Sequence, residues 1–371
     1  MLVGVPAEVK DAERRVALTP EGARELTAHG HRVLVERGAG EGSALGDDDY
    51  AAAGAELVDV DAAWGAELVV KVKEPQPQEY ARLRDDLVLL TFLHLAAYPA
   101  VAEALLASGT TALAYETVQL ASGELPLLAP MSEVAGRMAP QIGAHWLEAE
   151  NGGRGVLLGG APGVRPARVV VLGAGNVGWN AAWIAAGMEA EVVLLDKRVD
   201  RLRWVDQIHK GRIMTIGSNR GAVERAVAEA DLVIGAVLVP GGRAPVVVTE
   251  AMVAGMKRGS VVVDVAIDQG GCIETIRETT HTDPVYTCHE VLHYAVGNIP
   301  GAVPHTSTYA LTNVTLPYVV ELAQWGVAEA VAADPALLGG VNVVSGQVTN
   351  AVVAEALGCS ATEPLALLAR G

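Results

Sequence analysis

Short apolar runs alternate with amphipathic stretches along the first part of the chain. Residues 2–6 and 32–36 read as strands, residues 19–29 as a helix between them, and residues 38–42 as a glycine-rich turn. Apolar runs at 68–72 and 87–93 continue the alternation. Such a pattern predicts a parallel sheet covered by helices, because each parallel crossover needs a helix-length connection. A helical pattern then covers 132–150, and a segment rich in Gly and Pro at 151–168 separates it from a second α/β unit. There the run 169–172 leads into Gly-Ala-Gly-Asn-Val-Gly at 173–178, a helix to about Met188 and a strand at 191–195. Further strands are predicted at 232–236, 261–265 and 292–296. From Tyr309 onward the pattern is mostly helical, and its apolar residues need a surface to cover, so this tail is placed back on the first domain. The predicted class is α/β, with two domains that are each a mainly parallel sheet flanked by helices. Residues 1–128 and 306–371 form the first, and 129–305 form the second, a Rossmann dinucleotide-binding domain. No internal repeat or low-complexity tract is evident.

A chain of 371 residues suits two domains, and its 51% apolar and 19% charged content excludes disorder. The formal charge of −17 argues against nucleic acid or an anionic membrane surface as partner, leaving a small molecule. Two charge-free stretches, 169–188 and 291–320, are interrupted by Asn176, Asn180, Pro300, Pro304 and Pro317, which argues against membrane spans. Without a basic start and apolar core at the N-terminus, a cytoplasmic location is expected. Cys272, Cys288 and Cys359 form no CxxC pair and read as reduced thiols, so no metal site is expected from them.

Gly173, Gly175 and Gly178 follow a predicted strand and open a helix, where missing side chains permit a tight turn and close approach of a pyrophosphate to helix N-terminal amides. Asp196 ends the next strand, 18 residues beyond Gly178, placed to accept hydrogen bonds from ribose hydroxyls and to repel a 2′-phosphate. NAD is therefore the expected cofactor. Lys197 and Arg198 leave NADP as the alternative, and a strand-helix turn without a cofactor is the structural one.

The residues themselves resemble the alanine dehydrogenase family. The resemblance runs in order through GVPAEVKDAERRVALTP at 4–20, KVKEP at 71–75, TFLHLAA at 91–97, AYETV at 114–118 and PLLAPMSEVAGRMAPQIGA at 126–144. It continues through GAGNVG, DLVIGAVLVPG at 231–241, VDVAIDQGG at 263–271 and TSTYALTNVTLPY at 306–318. Common descent with the α subunit of proton-translocating transhydrogenase is implied, as is a cofactor cleft between two domains. The implied reaction is reversible oxidative deamination of L-alanine by NAD to pyruvate and ammonium. A homohexamer is implied too. The runner-up readings are a related reductive-amination dehydrogenase for another oxo acid, and a catalytically silent NADH-binding module.

By this resemblance Arg15 grips the substrate carboxylate, as a guanidinium can by two parallel hydrogen bonds; a surface ion pair is the alternative. Ala12 stands where the family commonly has asparagine. Lys73 is implied to contact the substrate carboxylate or carbonyl. Lys71 is two residues away on the predicted strand, so both would point to the same face and only the KEP match favours Lys73. His94 interrupts an apolar run, where a buried imidazole needs a partner; its implied role is to donate to the pyruvate carbonyl oxygen. Asp268 is assigned proton transfer around the carbinolamine and a cofactor contact, work that partial burial would favour; capping a turn is its alternative. Ser132, Ser218 and Asn298 are implied cofactor contacts, with Ser132 also suited to an N-cap after Pro130, and Gly297 replaces the family's common alanine.

Residues 289–293 spell His-Glu-Val-Leu-His, the zinc motif in which two histidines lie one helical turn apart. The following Tyr294 to Pro300 reads as strand into turn, and on a strand the two imidazoles would sit about 13 Å apart at 3.3 Å per residue. A metalloprotease reading is set aside on that ground.

Overall fold

The computed structural model describes residues 1–237 and 244–369. Its chain divides into two compact units, Met1–Met131 with Val303–Gly371, and Ser132–Ala302. Unit 1 opens with six strands: β1 (Leu2–Val5), β2 (Arg32–Glu36), β3 (Glu56–Val58), β4 (Leu68–Val70), β5 (Val88–Thr91) and β6 (Thr111–Ala114). Unit 2 holds β7 (Arg168–Leu172), β8 (Glu191–Asp196), β9 (Ile213–Gly217), β10 (Leu232–Gly235), β11 (Val261–Asp264), β12 (Val285–Cys288) and β13 (Val291–Tyr294). The chain then returns to unit 1 with β14 (Val341–Val344) and β15 (Gln347–Val348).

Unit 1 is an eight-stranded sheet ordered β15-β14-β6-β5-β4-β1-β2-β3, and unit 2 a seven-stranded sheet ordered β12-β13-β11-β10-β7-β8-β9. Pairing is parallel except where β14 meets β6 and β15, and where β12 meets β13. Central strands such as β4 and β10 are buried throughout, which is why they read as unbroken apolar runs rather than alternating ones. In unit 2, two buried layers cover the sheet: Val169, Val171, Leu194 and Ile234 pack on one face, and Val170, Leu172, Val193 and Val233 on the other. In both sheets the first strand lies between the second and the fourth, so each has a topological switch point at the carboxyl ends of its strands, where ligands of α/β sheets bind.

Several elements differ from the sequence reading. The tail after Tyr309 is mostly helix, as read, but it also carries two strands. Helix Pro304–Ala333 is broken at Gly326, and β14 adds antiparallel to β6. Ser345 and Gly346, both with positive φ, form the two-residue turn between β14 and β15, a hairpin geometry that glycine favours at its second position. The long helix runs Ala129–Trp146, three residues earlier than expected, so Ser132 lies in its first turn and is not its cap. Residues 238–241 of the family-like segment 231–241 lie outside the described residues. No helix among the described residues is long and apolar enough to cross a membrane.

Candidate functional site

The loop after β1, at the unit 1 switch point, carries a buried ion pair. Arg15 is 2% exposed; its Nε and Nη2 donate to the two oxygens of Glu13 at 2.7 and 2.5 Å, and its Nη1 reaches Met131 Sδ at 3.0 Å. This is no surface pair. Burial pushes the Glu13 carboxyl up, but the Arg15 hydrogen bonds and charge outweigh it and leave the pKa at about 2. Ala12 in the same loop has φ +56, a left-handed conformation that asparagine tolerates better than alanine, which accounts for the family's usual residue there.

Strand β4 ends at Val70, so strand alternation does not extend to residues 71–73, and Lys71 and Lys73 have different surroundings. Lys71 is fully buried between Glu79 Oε1 at 2.9 Å and Glu8 Oε2 at 3.2 Å. Glu8 also accepts from the backbone amides of Val72 and Lys73, so the buried triad anchors this loop. The Lys73 ammonium has no hydrogen bond or ion pair among the described residues. Burial, then the charges of Arg15 and Lys10, lower its pKa. Lys10 is held by Glu74 at 2.5 Å. A carboxylate arriving here would relieve the repulsion among three cations.

His94 lies beyond β5 and was expected inside the core. Instead it takes a left-handed bend, φ +48, with its side chain 36% exposed. The Phe92 ring stacks on it at 5.7 Å, and the Glu116 carboxylate accepts its backbone N–H at 2.6 Å. The Thr91 hydroxyl donates to the Lys73 carbonyl at 2.9 Å, tying the His94 segment to the Lys73 loop. Arg15, Lys73 and His94 thus all lie on loops at the carboxyl ends of β1, β4 and β5, three adjacent strands. Glu8, Glu13 and Glu116 were missed; the acids flanking Lys10 and Arg15 in residues 8–15 were the available signal for the first two.

In unit 2 the turn after β7 is built for close approach. A Cβ on Gly178 would lie 1.8 Å from the Gly173 oxygen, and Gly173 itself has φ +102. A Cβ on Gly175, the N-cap of helix Asn176–Gly187, would meet nothing within 4 Å, so its glycine answers no demand of the chain itself. Asp196 accepts from the amides of Ala174 at 2.6 Å and Arg198 at 2.7 Å, and its carbonyl accepts from the Ser218 amide at 2.8 Å. Gly175 and Asn176 line a cavity of about 350 Å³ with Trp179 and Trp204. Lys197 is exposed, and Arg198 pairs with Asp200 at 2.7 Å. Helix Ala129–Trp146, which carries Ser132, packs by Gly136 against Val177 of this same turn.

Asp268 sits on the short 3-10 helix Val265–Gln269 after β11 and is exposed, so the expected partial burial is not found within this chain. A Cβ on Gly297 would lie 3.5 Å from Asp268 Oδ1, which brings Asp268 beside Asn298, whose φ is +63. An alanine at 297 would also press on Glu278 Oε1, the far end of a flexible side chain. The cap of the 3-10 helix is Asp264, not Asp268: it is buried, accepts from Ala266, Cys272 and Ile273, and burial raises its pKa to about 6. The histidine pair of 289–293 is on no helix. His289 and Glu290 form the two-residue turn between β12 and β13; His289 contacts Glu250, while His293 is buried and contacts Thr275.

Strand order, glycine turn and terminal carboxylate make unit 2 a Rossmann dinucleotide-binding domain. Family models for the N-terminal domain and the C-terminal domain of alanine dehydrogenase/PNT match residues 4–135 and 139–351. The chain belongs to the alanine dehydrogenase/PNT family. It is 56% identical to an alanine dehydrogenase of Mycobacterium tuberculosis, with 100% of both chains covered. With an alanine dehydrogenase of Bacillus subtilis it shares 55% identity over 96% of this chain and 95% of the other. Among solved structures it superposes on an L-alanine dehydrogenase with a TM-score of 0.94 at 50% identity, covering 96% of this chain and 99% of that one.

Proposed function

We propose that the protein is an NAD-dependent L-alanine dehydrogenase, interconverting L-alanine, water and NAD with pyruvate, ammonium, NADH and a proton. The full-length identity to alanine dehydrogenases carries this reading. The glycine turn and Asp196 fit the cofactor. Gly175 leaves open space at a helix N-terminus, and each Asp196 oxygen has one protein donor and acceptor capacity left for ribose hydroxyls. When bound, NAD supplies the hydride acceptor.

Unit 1 serves as the substrate domain and unit 2 as the NAD-binding domain in this proposal. Arg15 and Lys73 bind the carboxylate of a small amino or oxo acid, with Glu13 holding the guanidinium in place. His94 donates a proton or hydrogen bond to the carbonyl oxygen, drawing electron density from the carbon that exchanges hydride. Asp268 moves protons as ammonia adds and water leaves, and with Ser132, Ser218 and Asn298 lines the cofactor. A homohexamer in the cytoplasm completes the proposal on the strength of the family resemblance.

The purified chain given pyruvate, ammonium and NADH should oxidise NADH and form alanine. Turnover only with a different oxo acid would replace the substrate assignment, and NADH binding without turnover on any oxo acid would leave the silent module. Light scattering coupled to gel filtration tests the hexamer.

A further inference from the structure

One short segment holds residues 92–94 through both backbone and ring contacts. Glu116 and Tyr115 are neighbours on the 3-10 helix Tyr115–Thr117, which directly follows β6. The Glu116 carboxylate accepts the His94 amide at 2.6 Å and lies 3.3 Å from the Leu93 amide through either oxygen. Tyr115 is fully buried and packs edge-on against Phe92 at 5.1 Å, and the Phe92 ring lies parallel to the imidazole with 1° between planes. Histidine at φ +48 is uncommon, and a bend of that kind persists only where neighbours hold it. One carboxylate taking two successive amides is such a hold, because hydrogen bonds to a charged acceptor are the stronger kind. The same Glu116 Oε1 stands 4.0 Å from His94 Nδ1, the ring nitrogen on the backbone side.

We propose that Glu116 is the positioning residue of His94, fixing its left-handed backbone, and with it the direction of the ring, through two amides. The inference rests on the reading that His94 acts on the substrate carbonyl. Glu116 itself touches no substrate in this scheme, so its removal should act on the chemical step and leave binding in place.

The test compares Glu116→Ala, Glu116→Gln and His94→Gln in the full-length enzyme. A misplacement of about 1 Å can cost roughly a hundredfold in rate, so Glu116→Ala should lower kcat by about that factor. The KM for pyruvate and the affinity for NADH should stay close to the parent's. Glu116→Gln retains an oxygen for the amides and should recover most of the turnover, while the His94 amide proton moves upfield as its acceptor loses the charge. Parent-like kcat in Glu116→Ala overturns the inference. If that variant does not fold, Glu116→Gln decides, and an unchanged His94 amide resonance overturns the inference. His94→Gln separates the two claims: full turnover there defeats the role of His94 itself, whereas its inactivity beside a fully active Glu116→Ala defeats only the role of Glu116.

Discussion

At the scale of single residues, two lysines two positions apart do opposite work. Lys71 neutralises Glu8 and Glu79 in a dry site, so Lys71→Ala leaves buried carboxylates uncompensated and should cost about 3–5 kcal/mol. Lys73 has no such partners to strand. Lys73→Ala should abolish turnover while the melting temperature stays close to the parent's, and calorimetry beside the NADH assay reads both. Glu13 gives the loop an acid sensitivity. Its folded pKa of about 2 lies below its ordinary 4.5, so the stability it contributes is complete above the higher value and is lost as pH falls through the lower. That contribution is about 3 kcal/mol at neutral pH. Urea unfolding at pH 5 and pH 3 should show a larger loss for the parent than for Glu13→Gln, about 2 kcal/mol of it due to this group. Equal losses would mean that the carboxyl is not held down.

At the scale of elements, the glycine turn separates what the chain needs from what a ligand needs. Gly178→Ala drives a methyl into the Gly173 oxygen and should weaken both folding and NADH binding. Gly175→Ala meets open space and should leave the melting temperature unchanged while weakening NADH binding, measurable by NADH fluorescence. Retained affinity in Gly175→Ala would remove the pyrophosphate from this turn. Elements whose apolar pattern matched their environment were legible in the sequence: 32–36 is β2 residue for residue, and 173–178 opens a helix as read. Elements defined by partners were not. Nothing local says that β14 will pair with β6, more than two hundred positions earlier, although Ser345-Gly346 between apolar runs carried a hairpin signal. The choice between Lys71 and Lys73 was closed for the same reason, since it turns on Glu8 and Glu79 pairing with the Lys71 ammonium and not with that of Lys73. His94 was recognised as a candidate, but its bend is set by Glu116, whose carboxylate comes from another loop.

At the scale of the whole molecule, unit 2 is one continuous stretch with buried layers on both faces of its sheet, whereas unit 1 is assembled from two stretches. Residues 132–302 expressed alone should therefore fold and bind NADH without reducing pyruvate, as far-ultraviolet circular dichroism and NADH fluorescence would report. An unfolded fragment would show that unit 2 depends on unit 1. The split has a consequence for biosynthesis. A ribosome releases Met131 long before Val303, and at about 5–20 residues per second the interval is on the order of ten to thirty seconds. Throughout that wait β6 is a bare sheet edge of the nascent chain, open to strand exchange with a neighbouring polysome product until β14 emerges to seal it.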